Sequence, residues 1–179
     1  MDDTLYSTRL EEGLVGGLLV AITLAMHGFG MLLTLRTSNA LKERFQRHQS
    51  FALGMGIIIL ASWMIIVVHL VEVGVWARCF YWIDAVNSSK NTTSLCYYFA
   101  LMDYTTLGSN YNLKLHWRLL EGMIAIAGLL TFAWSTGVLL TLAQEFQDQQ
   151  MALLKQRREK RHAQGSGAQA NPPAEPKNP

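Results

Sequence analysis

The sequence predicts an all-α membrane protein with three transmembrane helices and one shorter, re-entrant helix between the second and the third. Two observations predict this class. Half of the 179 residues are hydrophobic and only 16% are charged, whereas a soluble domain usually carries about a quarter charged residues. The hydrophobic residues also collect in three blocks, each longer than the roughly twenty residues that a membrane-spanning helix needs.

The three blocks divide the chain into predicted regions. They run from Gly13 to Leu35, from Phe51 to Ala77 and from Trp117 to Ala143. Residues 1–50 therefore hold the first helix and a loop, and residues 51–143 hold the other two helices with the segment between them. Residues 144–179 are expected to form a polar helical extension to about residue 162 and then a disordered tail, because the tail is rich in Gly, Ser and Pro.

Lysine and arginine counts orient the helices, because loops rich in these residues stay in the cytoplasm. The N-terminal segment holds Arg9 alone, and residues 78–116 hold three basic residues, thinly spread. We therefore expect the N-terminus outside and the C-terminus in the cytoplasm. The basic residues of the two rich segments are Arg36, Lys42, Arg44 and Arg47, and Lys155, Arg157, Arg158, Lys160 and Arg161.

Several functional classes lack the residues they need. No basic patch is interleaved with aromatic residues, so the sequence predicts no nucleic-acid partner. It holds no His/Cys cluster at metal-ligand spacing, no nucleophile elbow and no phosphate-binding loop. We therefore expect a protein that is not an enzyme, is surrounded by lipid, and needs no cofactor and no metal beyond a permeant cation.

A thirteen-residue apolar stretch from Cys96 to Gly108 lies between the second and third blocks. As a helix it would be about 20 Å long, too short for roughly 30 Å of hydrocarbon. It is therefore predicted to enter the membrane and return on the same side. It ends in Thr105-Thr106-Leu107-Gly108, and a loop of this kind can coordinate cations through backbone carbonyls. The alternative is an ordinary outside turn, since Gly108-Ser109-Asn110 is common turn chemistry.

Residues 98–108, Tyr-Phe-Ala-Leu-Met-Asp-Tyr-Thr-Thr-Leu-Gly, resemble the pore helix and filter of the potassium-channel pore-domain family. The resemblance is closest to small bacterial two-pore-domain-like ion channel proteins. Trp117 to Leu120 and Phe132 to Thr136 resemble the inner helix of that group. The end of its outer helix is resembled by His69, Glu72 and Trp76-Ala77. The resemblance implies a homotetramer in a bacterial inner membrane, with four loops around one axis, that conducts potassium. The ion-coordinating residues implied are Thr105, Thr106, Leu107, Gly108 and Ser109.

The outer half of this filter departs from the family pattern Thr-Val-Gly-Tyr-Gly-Asp. Ser109 stands at the bracing aromatic, Asn110 at the second glycine and Tyr111 at the acidic residue. Asn tolerates a positive φ better than most residues, so the backbone path can survive. We expect a cation channel with weaker potassium selectivity than is usual in the family. The alternative is a non-conducting scaffold or auxiliary subunit that retains the pore fold.

Four further residues are candidates for supporting such a pore. Asp103 lies three residues before Thr106, and an ionisable group inside a membrane is a functional candidate by default. It can brace the loop, supply negative potential, or simply pair with a neighbouring hydroxyl. Gly128, Thr131 and Ser135 share one helical stripe. Such a stripe indicates close helix packing, or a water-filled cavity below the filter, which the pore loop favours.

The remaining polar residues of the apolar blocks suggest pairing. His69 and Glu72 share one helical face, which favours a structural pair. His27 and His69 could hold a haem only at equal depth, and the predicted spans separate them by about 10 Å. That separation argues against a haem. Cys79 and Cys96 both fall on the outer side, where either a disulfide or two free thiols is consistent with the sequence.

Overall fold

Four helices make up the computed structural model, which describes residues 10–44 and 51–169, with side chains to residue 162. They are α1 (Leu10–Arg44), α2 (Phe51–Trp82), α3 (Thr93–Tyr104) and α4 (Leu119–Gln169), and a 3₁₀ turn at Leu115–Trp117 precedes α4. Three of them are long and apolar enough to cross a membrane. The described ranges contain no sheet, only an isolated bridge between Val86 and Leu113. The predicted all-helical class is confirmed, and the three long apolar helices are compatible with membrane spans.

The long helices extend beyond the predicted spans. α1 runs nine residues past Leu35, to Arg44, and α2 runs five past Ala77, to Trp82. Hydropathy marks where a helix meets hydrocarbon, but backbone hydrogen bonds continue into water wherever the following residues favour helix. The sequence after Leu35 includes Ala40-Leu41-Lys42-Glu43, which are good helix formers. Residues 45–50 of the predicted loop lie outside the described residues.

The chain groups into two compact units, Met1–Leu140 and Thr141–Pro179. The first holds α1, α2, α3 and the apolar part of α4. The second holds the remainder of α4, which continues as one helix to Gln169. Seven residues of the predicted disordered tail are therefore helical, because extending an existing helix costs far less than starting one. Residues 170–179 of that predicted tail lie outside the described residues.

The short helix α3 begins where Thr92 caps it. The Thr92 Oγ1 atom accepts a hydrogen bond from the Leu95 N–H at 3.2 Å, and Thr92 has an extended backbone. A threonine in this position satisfies a backbone donor that the first turn of a helix leaves open. The helix lies against α2: the hydroxyl of Tyr97, in its second turn, donates to the Leu70 carbonyl at 3.2 Å.

α3 runs back along α2 instead of continuing away from it. Its start is tied to the end of α2, since Asn91 Nδ2 donates to the Tyr81 carbonyl at 3.2 Å. Its last residue, Tyr104, contacts Glu72 of α2. Glu72 lies ten residues before Trp82, which corresponds to about 15 Å along the helix. The short helix therefore descends beside α2 by about half the thickness of a bilayer core.

The chain then returns to the level at which it left α2. Val86 and Leu113 form an antiparallel bridge, and Lys114 N–H donates to the Ala85 carbonyl at 2.8 Å. The Lys114 ammonium also pairs with Asp84, and the hydrogen bond that it donates lowers the pKa of the Asp84 carboxyl. Residues 83–118 thus run along α2 as α3 and return as an irregular segment. The two ends of this stretch lie side by side, next to the C-terminal end of α2.

An apolar core surrounds α3 on its inward side. Phe99 packs edge-on against Phe80 of α2, with ring centroids 5.6 Å apart, and Leu120 and Ile124 of α4 are fully buried in the same cluster. Cys79 and Cys96 are free thiols; Cys96 donates to the Asn91 side-chain oxygen at 3.0 Å. The opposite faces of the long helices expose large apolar side chains, as expected of helices that contact lipid. Examples are Leu18, Phe29, Ile59, Trp63, Val67, Leu129 and Leu140.

Candidate functional site

The turn that ends α3 contains the residues predicted to coordinate cations. Leu107 N–H donates to the Met102 carbonyl at 2.9 Å, and Thr106 N–H donates to the Asp103 carbonyl at 3.0 Å. These two bonds, with Thr106 at φ 61°, form a Schellman motif. A β-branched residue rarely adopts a positive φ, so the turn holds Thr106 in a strained conformation. Gly108 also has a positive φ, 73°.

The turn uses its backbone donors and leaves its acceptors open. The amides of Thr105, Thr106, Leu107 and Gly108 all donate back to carbonyls of α3. Within residues 10–44 and 51–169, no hydrogen bond to the carbonyl oxygens of these four residues is found. Leu107 is 74% exposed. The turn therefore presents unpaired carbonyl oxygens on an exposed surface at the inner end of α3.

The residues that follow close a second, smaller turn. Ser109 Oγ donates to the Tyr111 carbonyl at 2.8 Å and accepts from the Tyr111 N–H at 3.2 Å. Asn110 and Tyr111 are exposed. Because the Ser109 hydroxyl is engaged locally, this side chain braces the ascending segment. This local turn is in line with the alternative interpretation of Gly108-Ser109-Asn110 as turn chemistry, while coordination of a cation by Ser109 stays a prediction.

Asp103 lies in the last turn of α3, behind the turn at Thr105 to Gly108. Its Oδ2 atom is buried, and within the described part of the chain it has no hydrogen-bond partner. The neighbouring hydroxyls bind elsewhere: Tyr104 contacts Glu72 and Thr131, and Thr105 donates to the Leu101 and Met102 carbonyls at 2.8 and 3.2 Å. A buried carboxyl oxygen without a partner is costly. The described part of the chain therefore leaves one polar requirement of Asp103 unmet.

The stripe formed by Gly128, Thr131 and Ser135 on α4 is a packing surface within the protomer. A methyl group on Gly128 would lie 2.0 Å from the Tyr104 carbonyl oxygen, so the end of α3 touches the α4 backbone there. Thr131 and Ser135 are buried. Close packing was one of the two interpretations of this stripe, and lining of a cavity stays a prediction.

A buried polar cluster lies where the end of α3 meets the middle of α1 and α2 and the first part of α4. It consists of His27 of α1, His69 and Glu72 of α2, Tyr104 of α3, and Thr131 and Ser135 of α4. All six side chains are nine-tenths buried or nearly so, and Glu72 and His27 are fully buried. Polar groups at such a position are tolerated only when they are paired.

Glu72 is the hub of the buried polar cluster. Its Oε1 atom lies 3.0 Å from His27 Nδ1, and its Oε2 atom accepts from the Tyr104 hydroxyl at 2.5 Å. His69 Nδ1 lies 3.4 Å from the same Oε2 atom and 3.0 Å from the Tyr104 hydroxyl. The carboxylate thus joins α1, α2 and α3 through side chains at one level.

Two hydroxyls of α4 close the buried polar cluster. Thr131 Oγ1 lies 2.6 Å from the Tyr104 hydroxyl. Ser135 Oγ lies 3.0 Å from His69 Nε2 and 3.3 Å from His27 Nε2. Both nitrogens of His69 and both nitrogens of His27 are therefore in contact with polar atoms, and all four helices contribute.

The predicted separation of His27 and His69 is wrong. Their ring centroids lie 5.2 Å apart. The predicted depths followed the apolar spans, but the helices are longer: His27 is the central residue of α1, and His69 is within three residues of the centre of α2. The Ser135 hydroxyl bridges the two rings, so no gap is left between them for a porphyrin plane.

Sequence reasoning found part of this cluster and missed the rest. The pairing of His69 with Glu72 follows from their i, i+3 spacing. The participation of Tyr104 was missed, although an aromatic hydroxyl at the end of an apolar helix needs a partner when it is buried. That requirement was the available signal.

Comparison with protein-family models, with curated proteins and with solved structures finds no match.

Proposed function

We propose that this protein is a homotetrameric cation channel of a bacterial inner membrane and conducts potassium most readily. Its N-terminus lies outside and its C-terminus in the cytoplasm. The segment 83–118 enters from the outside and returns, and the turn from Thr105 to Gly108 surrounds the permeant ion with backbone carbonyls. No catalytic step is involved.

The observation that carries the proposal is the set of open carbonyls at the inner end of α3. In hydrocarbon each unpaired backbone group costs several kcal/mol, on the order of a lost hydrogen bond, so irregular backbone is tolerated at membrane depth only beside protein or water. The carbonyls of Thr105 to Gly108 accept no hydrogen bond from the described residues. A hydrated pathway along an axis meets this requirement, and cations are the ligands that carbonyl oxygens attract.

Four copies are proposed because one chain supplies only one such turn. Leu107 is 74% exposed, and an apolar side chain beside open carbonyls suits contact with a neighbouring copy better than contact with water. The buried Oδ2 atom of Asp103 also lacks a partner in the described protomer. A neighbouring copy offers donors to this atom, so Asp103 supports the filter from behind.

The variant outer filter is expected to weaken selectivity. The Ser109 hydroxyl closes a local turn with Tyr111, in place of the wide aromatic brace of the family that the sequence resembles. The coordinating carbonyl of Ser109, and the support from Asn110 and Tyr111, are then less rigidly held than the carbonyls of Thr105 to Gly108. We expect sodium to permeate measurably, though less readily than potassium.

Cation flux into proteoliposomes tests the proposal. Full-length protein should mediate uptake of potassium or rubidium, with slower uptake of sodium, driven by an imposed gradient. Gly108→Ala should reduce the flux at least tenfold, because alanine resists the positive φ of 73° at that position. No atom lies within 4 Å of a methyl group there, so the substitution should leave the rest of the fold intact.

Gly17→Ala is the matched control for this variant. Gly17 lies on the exposed side of α1, and a methyl group there also meets no atom within 4 Å. Its flux should equal that of the unaltered protein. Equal flux in Gly108→Ala and the unaltered protein would contradict a pathway through this turn.

A non-conducting scaffold is the second candidate, and one observation favours it. The Schellman bonds tie Thr106 and Leu107 back to α3, which is how many helices simply end. Such a subunit would assemble and resist unfolding as well as a channel does. Absence of any cation flux from correctly folded protein would decide for the scaffold.

A further inference from the structure

We propose that His27, His69 and Glu72, with Tyr104 as a fourth donor, bind one divalent transition-metal ion of the Zn²⁺ class inside the buried polar cluster. The site is distinct from the proposed cation pathway and does not depend on conduction. One ligand atom from each of His27, His69 and Glu72 lies within 4.8 Å of the others. The three side chains come from two helices, and Tyr104 adds a third.

The separations match those between ligands of one metal ion. Zinc bonds to nitrogen and oxygen are about 2.0–2.1 Å long, so neighbouring ligands of a tetrahedral ion lie about 3.3 Å apart. His27 Nδ1 lies 3.0 Å from Glu72 Oε1, and His69 Nδ1 lies 3.4 Å from Glu72 Oε2. His69 Nδ1 also lies 3.0 Å from the Tyr104 hydroxyl. The ligand atoms of His27 and His69 lie within 4.8 Å of each other, so these two side chains would approach each other by up to about 1.5 Å to enclose an ion at tetrahedral spacing.

Ser135 is placed to support the histidine tautomers that a metal needs. Its hydroxyl oxygen contacts the Nε2 atoms of both His69 and His27, at 3.0 and 3.3 Å. A hydroxyl oxygen has two lone pairs, so it can accept an N–H from each Nε2 atom. A neutral imidazole has a single N–H, so in that arrangement both Nδ1 atoms carry the lone pairs that bind a metal. In the metal-free protein Ser135 can instead donate to one Nε2 atom, and that imidazole then donates its Nδ1–H to Glu72.

In the metal-binding tautomers the two Nδ1 lone pairs face the Glu72 carboxylate oxygens at 3.0 and 3.4 Å. A metal ion between these atoms would replace the hydrogen bonds to Glu72 that hold the metal-free cluster together. Ligating histidines usually donate their other ring N–H to a neighbouring acceptor, which fixes the ring, and Ser135 stands in that place for both rings.

Glu72 supplies the negative charge of the site. It is fully buried, and uncompensated charge is expensive in a low-dielectric interior, so a bound cation and the carboxylate would stabilise each other. The Tyr104 hydroxyl oxygen is the fourth candidate donor, and it lies 2.6 Å from Thr131 Oγ1.

The donor set also determines the class of metal. Imidazole nitrogen suits Zn²⁺, Cu²⁺ and Ni²⁺, whereas Mg²⁺ and Ca²⁺ prefer six or more oxygens. Two nitrogens and two oxygens, held by three helices, would also fasten the end of α3 to α1 and α2. Metal loading should therefore stabilise the fold.

Metal content measured on purified full-length protein tests the proposal. The protein, isolated without a histidine tag and stripped with a chelator, is incubated with Zn²⁺ alone and desalted. Elemental analysis should find about one Zn²⁺ per chain. After loading with Cu²⁺, electron paramagnetic resonance should show hyperfine splitting from two imidazole nitrogens.

Variants locate the metal. His27→Gln and His69→Gln should each weaken Zn²⁺ binding at least tenfold, and Ser135→Ala should weaken it about tenfold or more through loss of its contacts to both rings. His116→Gln is the matched control, because His116 lies outside the cluster and is exposed; it should bind Zn²⁺ unchanged. Ser135→Ala removes one hydroxyl, so it keeps the test valid if the histidine variants do not fold.

Three results would overturn the proposal. One is folded protein that retains no Zn²⁺ after desalting. Another is Zn²⁺ binding that survives in His27→Gln and Ser135→Ala but is lost in His116→Gln. The third is a nitrogen NMR spectrum in which excess Zn²⁺ leaves one cluster imidazole doubly protonated, which would mean that the cluster is held by a proton.

Discussion

Gly128→Ala is expected to separate the end of α3 from α4 and to destabilise the protein by about 2–3 kcal/mol. A methyl group at this position would lie 2.0 Å from the Tyr104 carbonyl oxygen and 3.0 Å from its carbonyl carbon. Both are backbone atoms, which cannot rotate away as a flexible side chain could. Alanine gains about 1 kcal/mol of helix propensity over glycine, which only partly offsets the clash.

The loss is measured as a fall in the midpoint of thermal unfolding in detergent, followed by circular dichroism. Gly122→Ala is the matched control on the same helix, because no atom lies within 4 Å of a methyl group there. Its midpoint should stay level or rise slightly. A Gly128→Ala protein that unfolds at the same temperature as Gly122→Ala would contradict the close contact between α3 and α4.

Glu72→Gln is expected to cost about 3 kcal/mol, because it removes the hub of the buried polar cluster. The carboxylate contacts His27, His69 and Tyr104 at 3.0, 3.4 and 2.5 Å. The amide has one accepting oxygen and one donating nitrogen, so at least one of these groups loses its partner while it remains buried. An unsatisfied buried group carries its full desolvation penalty.

The midpoints of thermal unfolding of Glu72→Gln and Glu11→Gln are compared in buffer with a chelator. Glu11→Gln is the control for loss of an ordinary, exposed carboxylate. Glu11 is exposed in the first turn of α1, where loss of its charge should cost well under 1 kcal/mol. Equal midpoints for the two variants would mean that the buried polar cluster contributes nothing to stability.

The three long helices could be predicted from sequence because hydropathy reports burial in lipid directly. Their ends could not, since Ala40 to Arg44 and Arg78 to Trp82 are helical outside the apolar blocks. The midpoints of α1 and α2 therefore differ from the midpoints of the apolar spans. Measured from the helix midpoints, His27 and His69 lie at similar heights, and their rings are in contact. Measured from the apolar spans, they were predicted to lie apart.

The short helix was predicted from its length and its polar ending, and the structure places a helix at Thr93–Tyr104. Its contacts could not be predicted in the same way. The hydroxyl of Tyr104 meets residues 32 and 27 positions away in the chain, and no local pattern specifies such pairs. The Schellman turn at Thr106 could not be predicted either. Its φ is 61°, and a β-branched residue such as threonine rarely adopts a positive φ.

The buried stripe on α4 illustrates a limit of periodicity. The spacing of Gly128, Thr131 and Ser135 correctly gives a shared face, but small and hydroxyl residues suit both helix packing and a wet cavity. In the protomer this face meets Tyr104 and His69. Only tertiary contacts distinguish the two interpretations.

Electron cryomicroscopy of the full-length protein in lipid nanodiscs would show whether the turn from Thr105 to Gly108 surrounds a shared axis. We expect four copies, with Thr106 facing a common axis and ion density along that axis. A particle with one or two copies, or with Leu107 in the lipid away from every symmetry axis, would contradict it.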